Sequence, residues 1–405
     1  MKSDHPDLTI AKLWNPFFIL IVLLGSLTMM VFLAQMTTIS LFVAEKIHAN
    51  EFQIGLNATI ATLFALIFRA VSGWLTDHWK KSYTILIGLI ILLFGSVFVY
   101  WSQTLMAVYV FSALRGIGFA FVSTACLSMV PGAIPETRLS EGLGYYTLGS
   151  MIASAVGPTT GIFIVENYNH FVFWFGSSAL LVLLVLFMLT AGLRILSVVS
   201  FNEQPVCREK STSLKGGIIF SQSVFITSLI NLFVFIAFSS IITFLPLMAV
   251  SRKIPSSGLF FLVQAGAIFV VRIVGAKWGE RYGYRQVLLL SLLVLAASYV
   301  TMAYVASLSG LILAAVIYGT GSGFVQPMLM SILMSGVSPE KRGMASAVFM
   351  AASDIGLSIG SVLLGASGRF IGYKGMYLVA SAFILVGLIF IFLSKSEAIG
   401  SILKK

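Results

Sequence analysis

Apolar runs long enough to cross a bilayer, roughly 20 residues each, follow one another along almost the whole chain. They fall near 17–43, 52–76, 84–101, 106–130, 142–165, 171–193, 218–249, 257–276, 286–306, 309–335, 343–367 and 375–393. With 59% hydrophobic residues, 10% charged residues and a mean hydropathy of +1.02, too little polar surface exists to clothe a soluble globule. The expectation is an all-α membrane protein with twelve transmembrane helices. The first run is too long for a signal-peptide core and lacks a small-residue cleavage site, so it is expected to stay.

Lys and Arg orient the spans. Seventeen of the 25 lie on the side of the amino terminus, among them Lys80, Lys81, Arg138, Arg281 and Lys341. Only Lys46, Arg252, Lys253, Arg369 and Lys374 lie on the other, so both termini are expected in the cytoplasm. The net charge of +11 is mostly this asymmetry, reinforced by anionic lipid; it calls for the bilayer as partner and for no nucleic acid. Cys126, in a span, and Cys207, in a cytoplasmic loop, have no expected disulfide role.

A polar stretch divides the chain. The boundaries read from it are a tail 1–16, a first six-helix bundle 17–193, a linker 194–217, a second bundle 218–393 and a tail 394–405. Sliding one half over the other by 203 or 204 residues brings Arg69 onto Arg272, Asp77 onto Glu280, Gly116 onto Gly319, Gly118 onto Gly321 and Phe121 onto Phe324. Six spans repeated in one orientation give two pseudo-symmetric bundles, the plan of a rocking secondary transporter with its site between them near the midplane. A duplicated membrane protein without transport is the plainer alternative.

Gly149, Ala153, Gly157 and Gly161 recur every fourth residue, with Pro158 among them. Small residues at that spacing admit close helix approach, and the proline removes a donor and bends the helix. The stripe suits a gate or an ordinary tight contact. The loop after the second span reads Gly73-Trp74-Leu75-Thr76-Asp77-His78-Trp79-Lys80-Lys81, and its echo Gly279-Glu280-Arg281-Tyr282-Gly283-Tyr284-Arg285. There Asp77, Lys80, Lys81, Glu280 and Arg281 suit contacts that hold one conformation, or a tight turn with topology-setting charges.

Along its whole length the chain resembles the major facilitator superfamily, and most of all its twelve-span drug:proton antiporter branch of multidrug and metallophore exporters. The loop is similar to G-x-L-x-D-R-x-G-R-K, with Lys80 for the second glycine and His78 for the first arginine. The Gly157-Pro158-x-x-Gly161 stripe resembles the antiporter motif of span 5, with Ala153 where glycine is usual. Ala352 to Gly360 resembles span 11 of opine-metallophore exporters. The resemblance implies export across a bacterial cytoplasmic membrane.

Four ionisable groups lie within spans, where each costs several kcal/mol by scales of roughly 2.5 to 3.5 per residue: Arg69, Arg115, Arg272 and Asp354. Asp354, near the centre of span 11, is placed to gain and lose a proton, or to serve as the fixed partner of a buried arginine. Arg115, in span 4, occupies the position where the resembled antiporters usually have glutamine; their arginine stands one turn earlier, at Ser112. It is expected to face substrate or pair with Asp354, or else to bond backbone carbonyls. Arg69 and Arg272 either snorkel to the cytoplasmic surface or line the inner vestibule. Three arginines against one aspartate favour an anionic or zwitterionic solute. Polar cavity candidates are Gln35, Ser112, Arg115, Asn231, Gln264, Tyr318 and Gln326, with Arg69 beside them; Met30, Met36, Phe119 and Phe238 would suit an amphipathic solute.

The expected function is proton-coupled export of a small amphipathic compound by alternating access, leaning to a carboxylate-bearing metallophore or siderophore. A broad multidrug pump is the alternative. The partners are protons and a small molecule, with monomeric function expected. All four histidines fall in tails or loops, there is no H-E-x-x-H or paired intramembrane aspartate, and no Walker-type loop occurs. An enzyme, a cofactor, a metal site and an ATP-driven pump are therefore not expected.

Overall fold

The computed structural model describes residues 13–135, 138–192, 222–275, 277–338 and 341–393. The two tails, the linker 194–217 with Cys207, and Glu136, Thr137, Pro339 and Glu340 lie wholly or largely outside them. Among the described residues there is no strand. The helices are α1 (Pro16–Ile47), α2 (Glu51–His78), α3 (Lys81–Trp101), α4 (Leu105–Met129), α5 (Leu139–Asn167), α6 (His170–Phe187), α7 (Gln222–Ser251), α8 (Leu259–Val274), α9 (Tyr284–Tyr304), α10 (Leu308–Ser335) and α11 (Arg342–Leu393), with a short helix Trp278–Tyr282 between α8 and α9. Among the described residues ten helices are long and apolar enough to cross a membrane, and α8 is a shorter apolar helix.

Local chemistry explains the boundaries. Asn15 caps α1 by accepting from the Phe18 amide, with Pro16 at the first position, and α1 ends at His48 in the left-handed conformation. Asn50 and Gln53 form a reciprocal capping box on α2. Thr104, Asn169 and Ser307 cap α4, α6 and α10. Pro158, Pro246 and Pro327 are accommodated inside α5, α7 and α10.

Most helix ends differ from the sequence reading by a few residues, as where α1 runs on to Ile47, and two places bear on the fold. The eighth run, expected over 257–276, is helical only over Leu259–Val274, because the chain unwinds at Gly275 before the next turn. The last two runs, expected as separate spans, join in α11 with a single non-helical residue, Gly372 (φ 68°, ψ 174°). Glycine alone adopts that left-handed backbone without strain. Both arms of α11 pass the same stretch of α7: Gly356 and Gly360 close on the Leu232 and Ile236 backbone, while the Phe233 ring meets Phe383 and Phe390. The helix thus doubles back at Gly372, which replaces a loop.

The helices before the linker pack mainly on one another, as do those after it, and three seams join the groups: α2 on α11, α5 on α8, and α1 on α7. The contacts repeat at a step of 203. A side chain at Gly116 would strike the Ala61 carbonyl, and one at Gly319 the Gln264 carbonyl; Gly118 closes on Leu92, and Gly321 on Leu295. Residues 31–43 of α1 and 239–249 of α7 are buried without interruption, so their distal halves are encased. These lie toward the side of His48, Tyr168 and Ser256, called here the far side; the Asp77 and Glu280 turns define the near side.

Candidate functional site

Asp354 faces the α2–α11 seam, where its carboxylate is ion-paired with the Arg69 guanidinium. Farther along, Thr59 donates to the Ser358 carbonyl, and Gly55 lies against the Ser361 backbone. The chain spacing makes this seam: 354, 358 and 361 share a face of α11. Arg69 therefore neither snorkels free nor leaves Asp354 to Arg115.

Arg115 lies inside the first group of helices, 1% exposed. Its Nε donates to Gln35 Oε1 at 3.0 Å, its guanidinium lies 5.4 Å from the Trp174 ring centre, and Gly95 leaves room for its stem. Ser96 donates to the same Gln35 oxygen at 2.9 Å, and Gln35 Nε2 donates to Ser177 at 3.0 Å. Four helices, α1, α3, α4 and α6, thus meet on one polar knot. A pairing of Arg115 with Asp354 is not made, because each already lies against another helix. Ser112 is buried with its hydroxyl unpartnered.

The second group has a different interior. The positions 203 residues beyond Gln35, Ser96, Arg115 and Trp174 are Phe238, Tyr299, Tyr318 and Tyr377. Tyr318 lies with ring centres 6.0 Å from Tyr299 and Phe260 and 6.3 Å from Phe238. Nearer Asp354, Gln326 donates to Asn231 Oδ1 at 2.8 Å, and Asn231 donates to Ser353 Oγ at 2.6 Å and the Phe349 carbonyl at 2.9 Å. Gln264 is buried with its side-chain carbonyl unpartnered.

The small-residue stripe packs within its own half. Side chains added at Gly149 and Gly157 would meet Ser26 and the Met30 carbonyl, and one at Gly161 would meet Ala34 and Thr38, all on α1. Ala153 is buried, and Pro158 lies in the same helix. The other face of α5 makes the α5–α8 seam: Thr159 donates to the Gly258 carbonyl at 2.9 Å, and Arg272 Nη1 donates to Met151 Sδ at 2.9 Å. At the far end Glu166 accepts from the Ser256 amide at 3.0 Å and the Ser257 hydroxyl at 3.0 Å.

In the loop motifs, Asp77 stands exposed in the last turn of α2, Lys80 precedes α3, and Lys81 donates to the Ser128 carbonyl at 3.2 Å. Gly73 has open space around it, and Gly283 is left-handed (φ 88°). Glu280 and Arg281 are exposed, with Arg281 against the Tyr282 ring. Beside this surface Arg138 forms two 2.8 Å bonds with Glu141, which raise its pKa above the ordinary arginine value.

Two groups of helices meeting at seams, with an ion pair across one of them, have the form of a rocking transporter. The model of the Major Facilitator Superfamily matches residues 21–360 and 255–402. The chain belongs to this superfamily. A relative in Staphylococcus aureus (strain Mu50), the staphylopine export protein, is 28% identical over 389 residues, covering 91% of this chain and 94% of the relative. Multidrug resistance protein MdtG of Escherichia coli (strain K12 / DH10B) is 23% identical over 347 residues, covering 83% of each chain. The crystal structure of nucleoside transporter NupG has the same fold, with a TM-score of 0.76 at 15% identity, covering 94% of this chain and 100% of that one. Superfamily membership and the apolar helices make the chain a multi-pass cell-membrane transporter.

Sequence reasoning did not single out Glu166, Trp174 or Met151. Glu166 and Trp174 carry no local signal. Met151 had one: it stands 203 residues before Asp354, the step that pairs Arg69 with Arg272.

Proposed function

We propose that this superfamily member is a proton-coupled exporter of a carboxylate-bearing metallophore or siderophore, with both termini in a bacterial cytoplasm and twelve spans in two halves, 17–193 and 218–393. The observation that carries the reading is the Arg69–Asp354 ion pair, because it joins the two halves through the one acid deep in a span. A charged Asp354 holds Arg69 and ties α2 to α11. A proton on Asp354 removes the charge, weakens the tie and lets the halves rock. Asn231, Gln326 and Tyr318 supply polar contacts for solute in the second half, while Gln35 and Arg115 fix the first. The loop residues Gly73, Asp77, Lys80, Lys81, Glu280, Arg281 and Gly283, with the α5 stripe, form the moving hinge. The protein works as a monomer without cofactor.

Similarity to the staphylopine export protein supports the substrate class. Similarity to MdtG favours a second reading, a broad multidrug pump. Inside-out vesicles energised with a proton gradient decide between them. Accumulation of an opine-type metallophore or a polycarboxylate siderophore with proton release, lost in Asp354→Asn, supports the first. Accumulation of ethidium instead sinks it and favours the second.

A further inference from the structure

The step of 203 that reproduces glycine contacts in both halves also relates the α2–α11 seam to the α5–α8 seam. It takes Arg69 to Arg272 and Met151 to Asp354. Hence Arg69 on Asp354 at the α2–α11 seam and Arg272 on Met151 at the α5–α8 seam are the same contact made twice. One has a carboxylate and the other a thioether.

A thioether is a weak acceptor and carries no charge. Arg272 spends one Nη1 donor on that sulfur, and its buried Nε has no hydrogen-bond partner. Among the described residues Asp354, Glu141 and Glu45 have their ion pairs elsewhere, and no carboxylate is ion-paired with Arg272. Of the three arginines within spans, Arg69 is neutralised and Arg115 is enclosed by Gln35 and Trp174. Arg272 is left at a seam between the moving halves with its charge uncompensated. A guanidinium so placed is costly until an anion meets it, and its planar fork fits a carboxylate with two parallel bonds.

We infer that Arg272 docks a carboxylate of the transported solute, and that Met151 keeps the position free of acid so that the solute supplies the counter-charge. The inference rests on the exporter reading and names the residue that selects its substrate class. These two seams then divide the work: at α2–α11 the protein's own carboxylate holds the arginine, and at α5–α8 the cargo does.

The test uses the full chain in inside-out vesicles. The probes are ethylenediaminedisuccinate, its tetramethyl ester, which has no carboxylate, and ethidium, and the readout is the concentration giving half-maximal proton release. Arg272→Met and Met151→Asp are each expected to raise the value for ethylenediaminedisuccinate at least tenfold, and Arg272→Lys to fall between the parent and Arg272→Met, since the charge is kept and the two parallel bonds are lost. Responses to the ester and to ethidium, if the parent gives any, should not change. Met151→Asp retains the guanidinium and recreates a pair that the other seam already holds, so it decides the matter even if Arg272→Met fails to fold. Equal values for the parent, Arg272→Met and Met151→Asp overturn the inference alone, as does a Lys variant no better than Met. A parent that releases no protons with ethylenediaminedisuccinate sinks the carboxylate reading and this inference together.

Discussion

Arg69 and Asp354 stand 285 residues apart in sequence and are ion-paired across the α2–α11 seam between the two halves. Their side chains are 37% and 22% exposed, so neither is sealed from solute or protons. A pair of this kind can be made and broken within a transport cycle, whereas the enclosed Arg115 cannot leave its partners without opening four helices.

Replacing Asp354 by Asn should abolish uphill accumulation while leaving downhill exchange, and that exchange should lose its dependence on pH. Vesicle uptake with and without a proton gradient, measured across a pH series, checks this. Uphill accumulation by the variant would place the coupling elsewhere.

Arg115→Ala should destabilise the folded protein by about 3 kcal/mol, since it empties a buried site and strips a charged donor from Gln35. Arg115→Lys should not restore it, because an ammonium cannot both reach Gln35 and lie flat on Trp174. Thermal unfolding of the detergent-purified variants reads both. A stability equal to the parent's would argue against the structural role.

Gly157→Ala should be severe and Gly73→Ala harmless to stability. A Cβ at Gly157 would lie 2.4 Å from the Met30 carbonyl, which is backbone and cannot swing aside, while Gly73 has nothing within 4 Å. Comparing folded yield and unfolding temperature of the two variants tests the close α1–α5 approach. A slower transport rate in a fully stable Gly73→Ala would show that α2 meets a neighbour there in the other conformation.

Glu166 ties α5 to the start of α8 on the far side through three donors, the Ser256 and Ser257 amides and the Ser257 hydroxyl. Glu166→Ala should shift the population toward opening on that side. Spin labels at Tyr168→Cys and Val250→Cys, both exposed, should report a longer inter-label distance in the variant. An unchanged distribution would leave closure to the other contacts of the seam, the Thr159–Gly258 bond among them.

Much of this was legible before any coordinate. The near-continuous apolar runs determined helical spans, because backbone in hydrocarbon has to bond to itself. The register of 203 residues carried Arg69 onto Arg272 and Gly116 onto Gly319, and the structure repeats the glycine contacts at that same step. Sequence also identified Asp354 and the three arginines as groups needing a reason to be where they are. Their partners were another matter. Helical spacing gives the face a residue occupies, but not which neighbour that face meets, so Arg115 was open to substrate, Asp354 or backbone carbonyls, and the α5 stripe to a gate or an ordinary tight contact. Only tertiary packing set Arg69 on Asp354, Arg115 on Gln35, the stripe on α1 and Arg272 on Met151. The physical reason is that local periodicity is written in residues three and four apart, while an ion pair across 285 residues depends on how whole helices settle against one another.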